Sequence, residues 1–154
     1  MAKHFSFIAT NVNPISQNNR SLELLGRLKD ELIEANNHKP GNRHLPFDNL
    51  IQNNLEAKVF YIHRVPDYKD ADNISKPLWD SLNQIAYVDD KQIKYLETLK
   101  IHENTDDIIE FDISEMDDHE INIFVDFFSS SNSNIDRILY ISLSEYESKK
   151  VRFI

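Results

Sequence analysis

Five aspartates and a lysine crowd the run KDADNISKPLWDSLNQIAYVDDKQ, residues 69–92: Asp70, Asp72, Asp80, Asp89 and Asp90, with Lys76 among them. Carboxylates at this density admit two readings. Asp72, Lys76 and Asp80 fall at i, i+4 and i+8, the spacing of a salt-bridged stripe on the solvent side of a helix, and Asp72 suits the positive end of the helix dipole. Asp70 and Asp90 are not needed for such a stripe. If the chain returns so that Asp90 approaches Asp70 and Asp72, their repulsion calls for a cation. Hard oxygen ligands in a chain without cysteine favour Mg²⁺, or Mn²⁺ in its place, over zinc.

The elements that must position these residues follow from periodicity. Ile74, Leu78, Leu82 and Ile85 repeat at helical spacing, so the aspartates ride on a helix. A proline inside a helix costs about 3 kcal/mol, which predicts a start near residues 73–75 with Pro77 in the first turn. A β-rich run at 55–63 precedes this helix, and a strand at 92–102 follows it. Upstream, alternation over 4–12 predicts a strand that turns at Asn13-Pro14. Ser21 then caps a helix to about Asn36, with Leu24, Leu25, Leu28, Leu32 and Ile33 on its buried side. Downstream, 108–113 and 120–128 alternate and predict a hairpin, residues 129–134 a polar connector, and 138–143 and 151–154 further strands. Helices and strands intermingled in this way predict an α+β domain, a mixed β-sheet flanked by helices, spanning 1–154 as a single unit.

Composition removes several classes. The chain has 154 residues, 40 % of them hydrophobic, enough for one real core. There is no cysteine, hence no disulfide framework and no thiolate nucleophile. No apolar stretch approaches the ~20 residues of a membrane span, and the N-terminus lacks the pattern of a secretory signal; a cytoplasmic protein with no membrane partner is expected. Gly26 and Gly41 are the only glycines, too few for a P-loop or a dinucleotide-binding turn. A calcium loop starting at Asp70 fails at Ile74, Ser75 and Ser81, where it needs Asp or Asn, Gly and Glu. A bare D-x-D also occurs in metal-dependent glycosyltransferases, a distant third reading without a nucleotide site.

The spaced pattern Asp70, Asp72, Asn73, Lys76, Asp80, Leu82, then Asp89, Asp90 and Gln92, resembles the RusA-type Holliday junction resolvases, whose pattern is D-x-D-N-x-x-K-x-x-x-D-x-L followed by D-D-x-Q. The upstream NPISQNNR, residues 13–20, is similar to that family's N-terminal segment more loosely. The resemblance covers about 3–125, is strongest at 69–92, and leaves 126–154 as an unmatched C-terminal extension. It implies a RusA-like fold and a Mg²⁺-dependent, structure-selective endodeoxyribonuclease acting on branched DNA in recombination, repair or phage DNA processing. It implies Asp70, Asp72 and Asp90 as metal ligands, Asp89 as a helper beside them, Lys76 as the essential basic catalytic residue, and a homodimer. The chemistry agrees: phosphodiester cleavage needs a metal to polarise the phosphoryl oxygen and activate water, and a cation to meet the developing charge.

Arg20, Lys39, Arg43 and Lys69 are weaker candidates, for contacts with DNA phosphates. His38, His44 and His63 lack metal-ligand spacing. Trp79 and the apolar helix over 24–33 suit core packing or a subunit interface. The net charge of −9 is unusual for a DNA binder, but its distribution is uneven. Residues 1–100 hold 13 basic and 13 acidic side chains, whereas 103–120 hold nine acids and no Lys or Arg. If that acidic segment lay beside the catalytic face it would repel a duplex. It also supports the alternative function: a non-catalytic RusA-like interaction protein whose acidic C-terminal region binds a basic protein partner.

Overall fold

A computed structural model describes residues 4–19, 21–104, 110, 113–129 and 134–148. They form four strands and three helices in the order β1 (His4–Thr10), α1 (Leu22–His38), β2 (Leu55–His63), α2 (Ala71–Leu82), β3 (Ile93–His102), α3 (Asp118–Ser129) and β4 (Arg137–Glu145). The sheet order is β1-β4-β2-β3. β4 runs antiparallel to both β1 and β2, whereas β3 is parallel to β2. The sheet is therefore mixed, as the alternation of elements predicts, and α2 is the crossover between its two parallel strands.

Side chains alternate across the strands, so the sheet builds two cores. On one face Phe7, Ala9, Val59, Tyr61, Leu139 and Ile141 pack beneath α1 and α2. On the other, Ile8, Ile62, Ile138 and Tyr140 pack with Met116, Phe124 and Phe127 of the α3 region. Ser21 caps α1 by accepting from the Leu24 amide, and Leu28 and Leu32 are fully buried. Leu24, Leu25 and Ile33 pack against the same core, and Trp79 is 3 % exposed. Trp79 is thus covered within one chain, whereas Leu24, Leu25 and Ile33 are covered only in part.

Two elements differ from expectation. α2 begins at Ala71, not at 73–75, because the Asp70 carbonyl accepts from the amides of Asn73 (3.1 Å) and Ile74 (3.2 Å) and closes the first turn there. Pro77 therefore sits in the helix body, where its penalty of about 3 kcal/mol applies. Burying Ile74, Leu78 and Leu82 to 1 % exposure or less contributes about 1.5–3 kcal/mol each, which outweighs it.

The second difference is that 120–128 is helical. Asp117 Oδ1 accepts from the Glu120 amide (2.9 Å) and Glu120 Oε1 from the Asp117 amide (3.3 Å), a reciprocal cap that starts α3. Glu120, Phe124 and Phe127 then share its buried side. The expected strand over 108–113 falls mostly on residues outside those described, and the one at 151–154 entirely so.

Candidate active site

The parallel crossover fixes where the aspartates go. α2 runs back from the carboxyl ends of β2 and β3 toward their amino ends, so Asp90, just ahead of β3, meets the later turns of α2. The Lys76 ammonium lies 2.6 Å from Asp80 Oδ1 and 2.9 Å from Asp90 Oδ2. Hydrogen bonds to Asp80 and then Asp90 raise the Lys76 pKa, and the bond from Lys76 lowers that of Asp90. Both groups are held charged. Asp72, Lys76 and Asp90 line one recess of about 550 Å³ together with Ser75, Trp79 and Thr98. Thr98 donates to the Ser75 hydroxyl across its floor (3.1 Å).

Asp89 has a local task. Its carboxylate accepts from the Lys91 amide (2.9 Å), and Gln92 Oε1 accepts from the Asp89 amide (2.8 Å), so the D-D-x-Q run is a capped 3-10 turn, Asp90–Gln92. Gln92 also donates to the carbonyls of Ile51 and Asn53, fixing the turn to the loop ahead of β2. Two residues of the motif thus aim a third, Asp90, at Lys76.

Asp70 is placed differently. It is the N-cap of α2, with no side-chain capping bond, and it lines a second recess with Lys69, Asn73 and Arg137, whereas Ala71, next in the chain, lines the first. Asp72 and Asp90 are brought to one cavity, and Asp70 to the adjoining one. Among the described residues no three His, Asp or Glu side chains converge as a metal-binding group.

The other basic candidates separate as well. Lys39 is 6 % exposed; its ammonium meets the Ser6 carbonyl (2.8 Å), Asp117 (2.7 Å) and Glu120 (3.3 Å), a buried network that fastens α3 to β1. Those contacts take it out of reach of a phosphate. Arg43 lies over the Phe47 ring at 3.6 Å and donates to the Asn49 carbonyl, stapling its own loop. Lys69 stays at the site, 2.8 Å from Asp67 and 3.2 Å from Asn13. Arg20 lies outside the described residues.

Beneath the Asp70 end is a polar network that periodicity does not disclose. Asp67 accepts from Tyr61 (2.7 Å) and from the Lys69 amide (2.9 Å) and ammonium. Burial alone would push the Asp67 carboxyl up, but the hydrogen bonds from Lys69 and Tyr61 win and hold it at about 2. His63 is 3 % exposed. Its Nδ1 lies 2.7 Å from the Val65 carbonyl and must donate, leaving Nε2, 3.2 Å from the Lys100 ammonium, to accept. The ring is neutral, and burial lowers its pKa below the ordinary histidine value. Tyr61 and His63 share one face of β2 and pair with Lys100 and His102 of β3, a register that the sequence does not give.

The described members of the acidic segment stand away from this site. They lie on the α3 face of the sheet, opposite α2, and several are engaged: Glu103 with Arg64 (3.0 Å), Asp117 and Glu120 with Lys39.

Residues 43–113 match the family model Endodeoxyribonuclease RusA. The RusA match contains β2, α2 and β3, and with them Asp70, Asp72, Lys76, Asp89 and Asp90. At the family level it supports a nuclease of the Holliday junction resolvase type, with DNA as a partner. The RusA match leaves out β1, α1, α3 and β4. No curated protein matches the chain. No helix among the described residues is long and apolar enough to cross a membrane.

Proposed function

We propose that the chain is a Mg²⁺-dependent, structure-selective endodeoxyribonuclease that resolves branched DNA as a homodimer, in recombination, repair or phage DNA processing. The observation that supports this reading is the gathering of Asp72, Lys76 and Asp90 in one open recess inside the segment that matches RusA. The donor set suits a hard cation: it is oxygen only, and Mg²⁺ is commonly held by one or two carboxylates, with waters and substrate phosphate oxygens completing its octahedron. Asp72 and Asp90 would hold it, with Asp70 proposed as the third donor from the helix cap. When bound, such an ion polarises the phosphoryl oxygen and lowers the pKa of a coordinated water.

The chain's own residues do the rest. Lys76 is half exposed and firmly protonated, tethered to Asp80 one turn along α2. A phosphodiester entering the recess offers its ammonium a third anionic partner, and the ammonium meets charge that grows on the phosphoryl oxygens as the bond breaks. The Asp89–Gln92 cap keeps Asp90 from swinging away as Lys76 shifts. The Ser75 hydroxyl, which accepts from Thr98, lies in the lining, and Trp79 and Ile93 give the recess an apolar wall.

A second reading has its own support. With Lys76 bridging Asp80 and Asp90, and no three-carboxylate group among the described residues, the chain also suits a non-catalytic RusA-like interaction protein whose acidic C-terminal region binds a basic partner. Incubating labelled four-way junction and plain duplex with protein, in Mg²⁺ or EDTA, separates the two. Paired nicks in the junction alone, lost in EDTA, are expected; no cleavage in any divalent metal favours the binding protein.

A further inference from the structure

The recess at the Asp70 end of α2 joins parts of the chain that are far apart in sequence. Asn13 and Ser16 come from the segment after β1, Lys69 and Asn73 from the start of α2, and Arg137 from the first position of β4. Arg137 pairs across the sheet with His63, on the face that α2 covers. Its guanidinium makes no ion pair among the described residues, and its Nε is buried without a hydrogen-bond partner. The nearest buried carboxylate does not fill that need: both oxygens of Asp67 are already held by Tyr61 and Lys69. Lys100 adds a further positive charge below, its ammonium bound to the Asp67 carbonyl (2.8 Å) and to His63. Lys69 and Arg137 in the lining and Lys100 below it thus stand against two carboxylates, Asp70 and the saturated Asp67, one positive charge in excess in a chain whose net charge is −9. Around them stand neutral amide and hydroxyl groups, the donors that position a phosphate without demanding a base.

We propose that this recess, of about 570 Å³, seats a DNA backbone phosphate next to the one that is cut, and that Arg137 is its principal cation. The inference rests on the nuclease reading for the identity of the polyanion, and it assigns a task to a residue outside the RusA-matched segment. A guanidinium presents parallel N–H groups to two oxygens of one phosphate, which a lysine cannot do. One arginine there fixes the path of the strand across the N-terminus of α2 and delivers the neighbouring phosphodiester to Asp72 and Lys76.

The test needs no cleavage. Isotope-labelled protein titrated with the dinucleotide pTpT in EDTA should show amide shifts concentrated at Lys69, Asn73 and Arg137, absent in Arg137→Gln and partly kept in Arg137→Lys. Binding of four-way junction in EDTA over a salt series should lose about 0.9 from the slope of log K against log salt in Arg137→Gln, one phosphate contact fewer. A purely structural role would move the melting temperature and leave that slope alone. Shifts scattered over the surface of the wild type, or an unchanged slope in the Gln variant, overturn the seat. A wild type that cuts no DNA in any metal yet shows the localised shifts defeats the nuclease reading and keeps the seat. Junction cleavage together with an unchanged slope does the reverse.

Discussion

Lys76 touches two carboxylates at once, and that decides what its removal should do. Lys76→Ala is expected to bind junction DNA within a few-fold of wild type and to lose turnover by about 100-fold or more, the order seen when one transition-state charge contact is deleted; a rise in KM at unchanged kcat would make Lys76 a phosphate anchor only. Asp72→Asn and Asp90→Asn should each abolish metal-dependent cleavage with no loss of fold, read by circular dichroism. Asp70→Asn is the discriminating variant, because Asp70 lines the adjoining recess: equal loss places it among the ligands, and near-normal cleavage removes it. Asp67 reports on acid stability. Its folded pKa, about 2, lies below the ordinary carboxylate value of 3.8, so its contribution is complete above about pH 4 and is lost as pH falls through 2. Urea unfolding of Asp67→Asn between pH 4 and 2 should therefore change less with pH than that of wild type; an identical slope would mean that Tyr61 and Lys69 do not hold the carboxylate in solution.

At the scale of the element, β1, α1, β2, β3 and β4 were legible because each has one clear period and an obvious boundary: the Ser21 cap, the alternation of Leu55, Ala57 and Val59, the run from Ile138 to Leu143. For α2 the sequence predicts a start two or more residues late. Pro77 argues locally for a first turn, and the energy that overrules it comes from burial against α1 and β3, which no local rule contains. α3 reads locally as a strand because Ile121, Ile123, Val125 and Phe127 alternate as neatly as Phe124 and Phe127 follow a helix. The deciding signal was present in D117-D-H-E120, a capping box. Its worth can be measured: Asp117→Ala should destabilise the protein by about 1 kcal/mol in denaturant unfolding, whereas Asp117→Asn keeps a capping oxygen and should lose less. Equal losses would assign the effect to the Lys39 ion pair instead. The candidate site was half legible. Residue types and spacing gave the motif, but which aspartates meet depends on the direction of the crossover: a helix antiparallel to its strands carries Asp90 to Lys76 and Asp80 and leaves Asp70 at the far end.

For the whole molecule, the proposed pairing of two subunits has a direct readout. Mixed dimers of wild type and Asp72→Asn should nick one strand of a junction and spare its counterpart, whereas a sedimentation value for a monomer, free and on DNA, would remove the dimer. The residues beyond 126 are no appendage, because β4 is the strand that joins β1 to β2. That position has a consequence for the order of events during translation. The nuclease motif is complete by Gln92, yet β1 and β2 have no common partner until 137–145 has left the ribosome. Some fifty residues of synthesis, a few seconds at about 5–20 residues per second, separate a finished motif from a finished sheet. Through that interval both edges that β4 will bridge stand open, so a nascent chain stalled at residue 129 should be cut freely by a protease, and one with residue 148 outside the exit tunnel should resist it.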